Sequence, residues 1–121
     1  MSQKLILVVE DSPTDKRIAV SACEKAGYRV ITAGDGEEAL QMTVDQKPDL
    51  ILLDVILPKK NGFQICRQIK STPDIQKTKI IMVTSKSQDS DRFWGVKQGA
   101  DGYLTKPYDD SELLELIKQQ L

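Results

Sequence analysis

The sequence contains no histidine and no G-x-x-x-x-G-K-[ST] loop. It therefore has neither an imidazole to carry a phosphoryl group nor the turn with which many proteins grip ATP. Cysteine is scarce: Cys23 and Cys66 are the only two, they fit no CxxC or metal-ligand spacing, and such a pair reads as buried structural thiols. Long hydrophobic runs are also missing. Apolar runs such as residues 50–53 fall far short of a bilayer span. Neither sign of charge prevails, with 17 Lys and Arg against 18 Asp and Glu, so there is no basic field for nucleic acid or anionic lipid. Direct nucleic-acid binding and membrane insertion are not expected. The start, Met1-Ser2-Gln3-Lys4, lacks the apolar run and small-residue cleavage site of a signal peptide, which points to the cytoplasm.

What remains is globular composition, 40% apolar and 29% charged over 121 residues. That length suits one domain and is too short for a core plus a separate output module. Five β-type segments stand out, at residues 4–9, 29–33, 50–53, 79–83 and 102–104. Helical patterns alternate with them. Ser12-Pro13 offers an N-cap and a first-turn proline before an apolar stripe of Ile18, Ala19, Ala22, Cys23 and Ala26, stopped at Gly27. Asp35 and Glu38 stand three apart like a capping box and open a second helix with Ala39, Leu40 and Val44 apolar, closing before Pro48. A third helix, residues 62–71, carries Ile65, Cys66 and Ile69. A fourth follows Ser87, with Phe93, Val96 and Ala100 facing inward and Gly99 near its end; a fifth starts at Asp109-Asp110 and buries Leu113, Leu114, Ile117 and Leu121. Strand-like segments one, three and four are almost wholly apolar, as strands covered on both faces must be. A βα unit repeated five times, with a parallel sheet between helix layers, follows.

In open parallel sheets the loops at the carboxyl ends of the strands converge on one crevice. Strand one ends in Glu10-Asp11, strand three in Asp54 and strand four in Thr84, while strand five is followed by Lys106-Pro107. Three carboxylates, one hydroxyl and one ammonium thus share an edge. Crowded acids repel, and either raise a pKa or share a cation. A hard divalent ion such as Mg2+ suits oxygen ligands of this kind, and a carboxylate is also a competent phosphoryl acceptor. The plainer reading of each acid taken singly is a helix cap or a solvated charge.

Four blocks carry a resemblance: Val8-Val9-Glu10-Asp11-Ser12; residues 49–62, from Asp49 through Asp54 and Pro58 to Asn61-Gly62; Val83-Thr84-Ser85; and residues 99–107, Gly99-Ala100-Asp101-Gly102-Tyr103-Leu104-Thr105-Lys106-Pro107. In that order they resemble the receiver domains of bacterial response regulators, of the single-domain, chemotaxis-regulator type, over essentially the whole chain. The resemblance implies a flavodoxin-like strand order 2-1-3-4-5 and a phosphorelay role. Asp54 would accept the phosphoryl group, with Glu10, Asp11, Asp54 and the backbone carbonyl of Ile56 holding Mg2+. Lys106 would pair with the phosphoryl oxygens, the Thr84 hydroxyl would move to them, and Tyr103 would rotate inward behind it. The partners implied are a sensor histidine kinase or phosphotransfer protein upstream and a protein target downstream, reached through helix four, strand five and helix five. The Lys106-Pro107 bond is cis in the family.

Departures matter too. Glu10 stands where Asp is more frequent, and Ser85 where Ala is common. The resemblance implies that Ile56 and Lys86 occupy positions that tune the lifetime of the acyl phosphate. The Phe93-Trp94-Gly95 run followed by Gln98-Gly99-Ala100 looks like regulators of twitching motility and phototaxis. Trp94 reads equally as a partner anchor or as the cover of a seam between helices. Gly95 inside a helix costs about 1 kcal/mol relative to Ala and suggests a mobile element. Asp89 and Asp91 open a helix, so their place fits its dipole rather than a metal. Three other functions compete: an aspartate-nucleophile phosphatase, which needs a second Asp where Ile56 stands; an FMN carrier, whose phosphate the acidic first loop would repel; and a degenerate receiver lacking an acid, Thr or Lys, none of which is lacking here.

Overall fold

The computed structural model describes residues 3–121; Met1 and Ser2, where the signal-free start was read, lie outside the described residues. Strands β1 (Leu5–Val9), β3 (Leu50–Leu53) and β4 (Lys79–Thr84) are buried along almost their whole length. Strand β2 (Arg29–Ala33) and β5 (Gly102–Thr105) are more open, because they form the two edges of a sheet ordered β2-β1-β3-β4-β5. All four pairings are parallel. The sequence segments match these strands to within a residue at each end, and the strand order is the one the resemblance implies.

Alternation along the central strands makes two cores. Leu7, Val9, Ile51, Leu53, Ile80 and Met82 face α2 (Gly36–Gln46) and α3 (Gly62–Lys70), where Ala39, Ile65, Cys66 and Ile69 meet them. Ile6, Val8, Leu50, Leu52, Ile81 and Val83 face α1 (Pro13–Lys25) and α5 (Asp110–Gln120), against Ala19, Ala22, Cys23, Leu113 and Ile117. Both cysteines are free and buried. Burial pushes each thiol up to about 12. The caps fall where the sequence puts them: Ser12 accepts from the Asp15 amide and Asp35 from the Glu38 amide. Glu38 closes its half of the motif on the Gly34 amide, not on Asp35.

Several inward residues were misplaced by periodicity alone. Ile18 on α1 and Ala26 at its C-cap are exposed, as are Val44 on α2 and Leu121 beyond α5, while Leu114 is half-buried. On α2 the contact position beside Val44 goes to Thr43, fully buried because its hydroxyl donates to the Ala39 carbonyl at 2.7 Å. The largest correction concerns α4 (Asp89–Lys97). Phe93 and Val96 are 62% and 68% exposed, and Trp94 is half-exposed; Gly95 is the buried residue. A Cβ at Gly95 would lie 3.1 Å from Tyr103 Cδ2 and 3.7 Å from Met82 Cγ. The helix approaches the sheet through bare backbone there, and its large neighbours turn outward as a result. No helix among the described residues is long and apolar enough to cross a membrane.

Candidate functional site at the carboxyl edge of the sheet

Register brings the site together. Val9 pairs with Leu53, so the next residues, Glu10 and Asp54, emerge side by side, and the Asp54 amide donates to the Val9 carbonyl. Thr84 pairs with Thr105, and the amide of the following residue, Lys106, donates to the Thr84 carbonyl at 2.9 Å. Gly62, at the start of α3, lies so close beneath this edge that a Cβ would strike the Asp54 carbonyl and Val55 Cα. Only glycine permits that approach. The Lys106-Pro107 peptide is cis.

The Lys106 ammonium is the hub. Its Nζ lies 2.8 Å from Glu10 Oε2, 2.8 Å from Asp54 Oδ2 and 2.9 Å from Asp15 Oδ2. Burial works against its charge, but hydrogen bonds to Asp54, Glu10 and Asp15 outweigh that and hold its pKa above the ordinary lysine value. Asp54 is buried, and its other oxygen, Oδ1, accepts from the Ile56 amide at 3.0 Å. Glu10 is only 3% exposed, and its Oε1 is buried with no hydrogen-bond partner. Burial, helped by the charge of Asp54 and opposed by the bond to Lys106, raises the Glu10 pKa to about 7.

The other sequence-selected residues take distinct places. Asp11 follows Glu10 but its side chain faces solvent. Ile56 is exposed. Thr84 is fully buried, and its hydroxyl accepts from the Lys86 amide at 3.4 Å. Tyr103 donates its hydroxyl to the carbonyl of the same Lys86 at 2.7 Å, so both residues named as switch elements grip one peptide segment. The Arg92 guanidinium stands 5.1 Å from the Tyr103 ring centroid.

Among the described residues no three acidic, cysteine or histidine side chains already group around a common point as a metal cage. The acids converge on Lys106 instead. The donor chemistry nevertheless fits a hard cation: Glu10 Oε1 is a buried carboxylate oxygen with no hydrogen-bond partner. Residues that could hold such a cation are Glu10, Asp54, the adjoining Asp11 and the Ile56 carbonyl. Asp15 was missed by sequence reasoning. It sits in the first turn of α1, 91 residues from Lys106 in the chain, where an acid is amply explained by the helix dipole. A cleft of about 360 Å3 opens beside the hub, lined by Asp15, Ile18, Ser85, Lys106, Pro107 and Tyr108.

Residues 6–118 match the family described as the response regulator receiver domain. Over 116 residues the chain is 40% identical to protein PilH of Pseudomonas aeruginosa, covering 96% of each. It is 40% identical over 113 residues to protein PilG of the same organism, covering 93% of this chain and 84% of that one. The structure of the chemotaxis response regulator CheY4 of Vibrio cholerae superimposes with a TM-score of 0.93 at 30% identity, covering 99% of this chain and 100% of that one. With the match running from the first strand into the last helix, and the acids, hydroxyl and ammonium standing at the strand ends, the chain belongs to the response regulator receiver domain family.

Proposed function

We propose that the chain is a phosphorylation switch that accepts a phosphoryl group on Asp54 from a phosphohistidine of a sensor kinase or phosphotransfer protein. The observation that carries this reading is the pinning of Asp54: Oδ2 at 2.8 Å from the Lys106 ammonium and Oδ1 on the Ile56 amide. A carboxylate so held is oriented for in-line attack, and the cation beside it faces the charge that accumulates on the transferring oxygens. An Asp54 O–P bond forms as the donor's P–N bond breaks, and the leaving imidazole takes up a proton. Glu10, Asp11, Asp54 and the Ile56 carbonyl would hold Mg2+, which when bound neutralises phosphoryl charge. Such catalysis is confined to the chain's own phosphorylation and dephosphorylation.

Lys86 supports the coupling step. Its amide is bonded to Thr84 and its carbonyl to Tyr103, so a Thr84 hydroxyl drawn to a phosphoryl oxygen releases one side of the segment that anchors Tyr103. The readout is the surface of α4, β5 and α5, acting on another protein in the cytoplasm, with no nucleic acid bound directly. Similarity to PilH and PilG, together with the Phe93-Trp94-Gly95 run, favours control of type IV pilus motility, with phototaxis as a related output. A phosphatase reading is disfavoured because Ile56 offers no side-chain acid. A degenerate receiver is disfavoured because every switch residue is present.

Intact-mass measurement after incubation with acetyl phosphate, with and without Mg2+, tests this. Wild type should gain about 80 Da, one phosphoryl group, only with the metal, and Asp54→Asn should gain nothing. A wild type that stays unmodified in the presence of Mg2+, from this donor and from a phosphorylated kinase, rules the switch out.

A further inference from the structure

An ammonium has three N–H donors, and at Lys106 each already meets a carboxylate: Glu10, Asp54 and Asp15 at 2.8, 2.8 and 2.9 Å. A phosphoryl group arriving on Asp54 needs at least one of those donors. The three acids are unequal in their freedom to yield. The Glu10 side chain is 4% exposed and that of Asp54 10%, whereas that of Asp15 is 39% exposed. Glu10 has no room to retreat, and Asp54 is itself the reacting group. Among the described residues the Asp15 carboxylate makes no bond other than the one to Lys106, and it stands on the wall of the cleft through which the site meets solvent.

We propose that Asp15 is a positioning residue that holds Lys106 in the resting site and must withdraw before the phosphoryl group is seated, so that it slows phosphoryl capture. The inference rests on Asp54 being the acceptor. Two effects act in the same direction. Asp15 occupies a donor the phosphoryl oxygens require, and its charge repels an anionic donor molecule at close range. A partly exposed ion pair of this kind corresponds to a factor of about 2 to 5 in an equilibrium or rate. The backbone of Asp15 has a separate role, since its amide donates to the Ser12 cap, and this survives any side-chain change. Neutralising an acid in the first turn of α1 slightly weakens the helix, which can lower stability but cannot speed capture.

The test is the rate of mass gain from acetyl phosphate with saturating Mg2+ for wild type, Asp15→Asn and Asp15→Glu, at low and high ionic strength. In each reaction the Asp54 O–P bond forms and acetate leaves with the electrons of the broken P–O bond. Asp15→Asn should be faster than wild type by about 2- to 5-fold at low salt, and the gap should narrow as salt screens the charge. Asp15→Glu, which restores the charge on a longer arm, should fall within about twofold of wild type. An Asn variant equal to or slower than wild type, or a Glu variant as fast as Asn, overturns the role of Asp15 while leaving the acceptor assignment intact. No mass gain in any of the three, from acetyl phosphate and from a phosphorylated kinase alike, overturns the acceptor assignment and the inference together.

Discussion

At the scale of single residues, Glu10 is the group most sensitive to conditions. Burial raises its pKa from 4.5 to about 7, so the folded chain holds this proton more tightly than the unfolded chain does. In metal-free buffer the stabilisation it contributes is complete below pH 4.5 and is lost as pH rises to about 7. The loss amounts to up to about 3 kcal/mol. Urea denaturation of wild type and Glu10→Gln in EDTA, from pH 4.5 to 8, should give a steeper fall for the wild type across that window; parallel profiles would contradict the buried carboxylate. Magnesium should recover more stability in the wild type than in the variant, because only the folded state presents the site. Glu10 and Asp54 could be paired from the sequence since each follows directly on an apolar strand. Asp15 could not, because its reach depends on how α1 lies against the loop after β5.

At the scale of elements, α4 is where pattern and packing part. Periodicity assigns the contact face to Phe93 and Val96 because they are large and apolar, yet the contact is made by Gly95 against Tyr103 and Met82. The glycine is better explained by close approach than by mobility. By helix propensity alone Gly95→Ala should stabilise the helix by about 1 kcal/mol. Its Cβ would stand 3.1 and 3.3 Å from the Tyr103 ring carbons, so the ring must shift and strain its bond to the Lys86 carbonyl. The expected result is a net stability change well below that 1 kcal/mol gain, with displaced Tyr103 ring resonances in NMR spectra. A full gain in stability with unmoved Tyr103 signals would show that α4 does not steer the ring. Trp94, half-exposed, lines a groove with Arg67 and Lys70 of α3, a place that suits a cover of the seam between the two helices as well as a partner anchor.

At the scale of the whole molecule, stability resides in the two apolar layers flanking β1, β3 and β4. Ile51 is fully buried among β-strand and α3 side chains, while Ile18 on α1 is 45% exposed beside the cleft. Chemical denaturation should therefore show Ile51→Ala destabilised by about 2–5 kcal/mol and Ile18→Ala by no more than about 0.5 kcal/mol. Comparable losses at both positions would mean that α1 is packed differently.

Chain alternation, the strand-end positions of Glu10, Asp54, Thr84 and Lys106, and the helix caps were legible in the sequence, because each depends on neighbours a few residues apart or on runs of one residue class. Parallel strand register then carries local order into space, which is why acids distant in the chain could be placed on one edge. Three features were decided by tertiary structure alone: the third carboxylate on Lys106, the glycine contact under Tyr103, and the gathering of the acids on an ammonium. Each depends on the distance between elements packed from different parts of the chain. Periodicity reports which residues share a face, and it carries no information on how closely that face is approached.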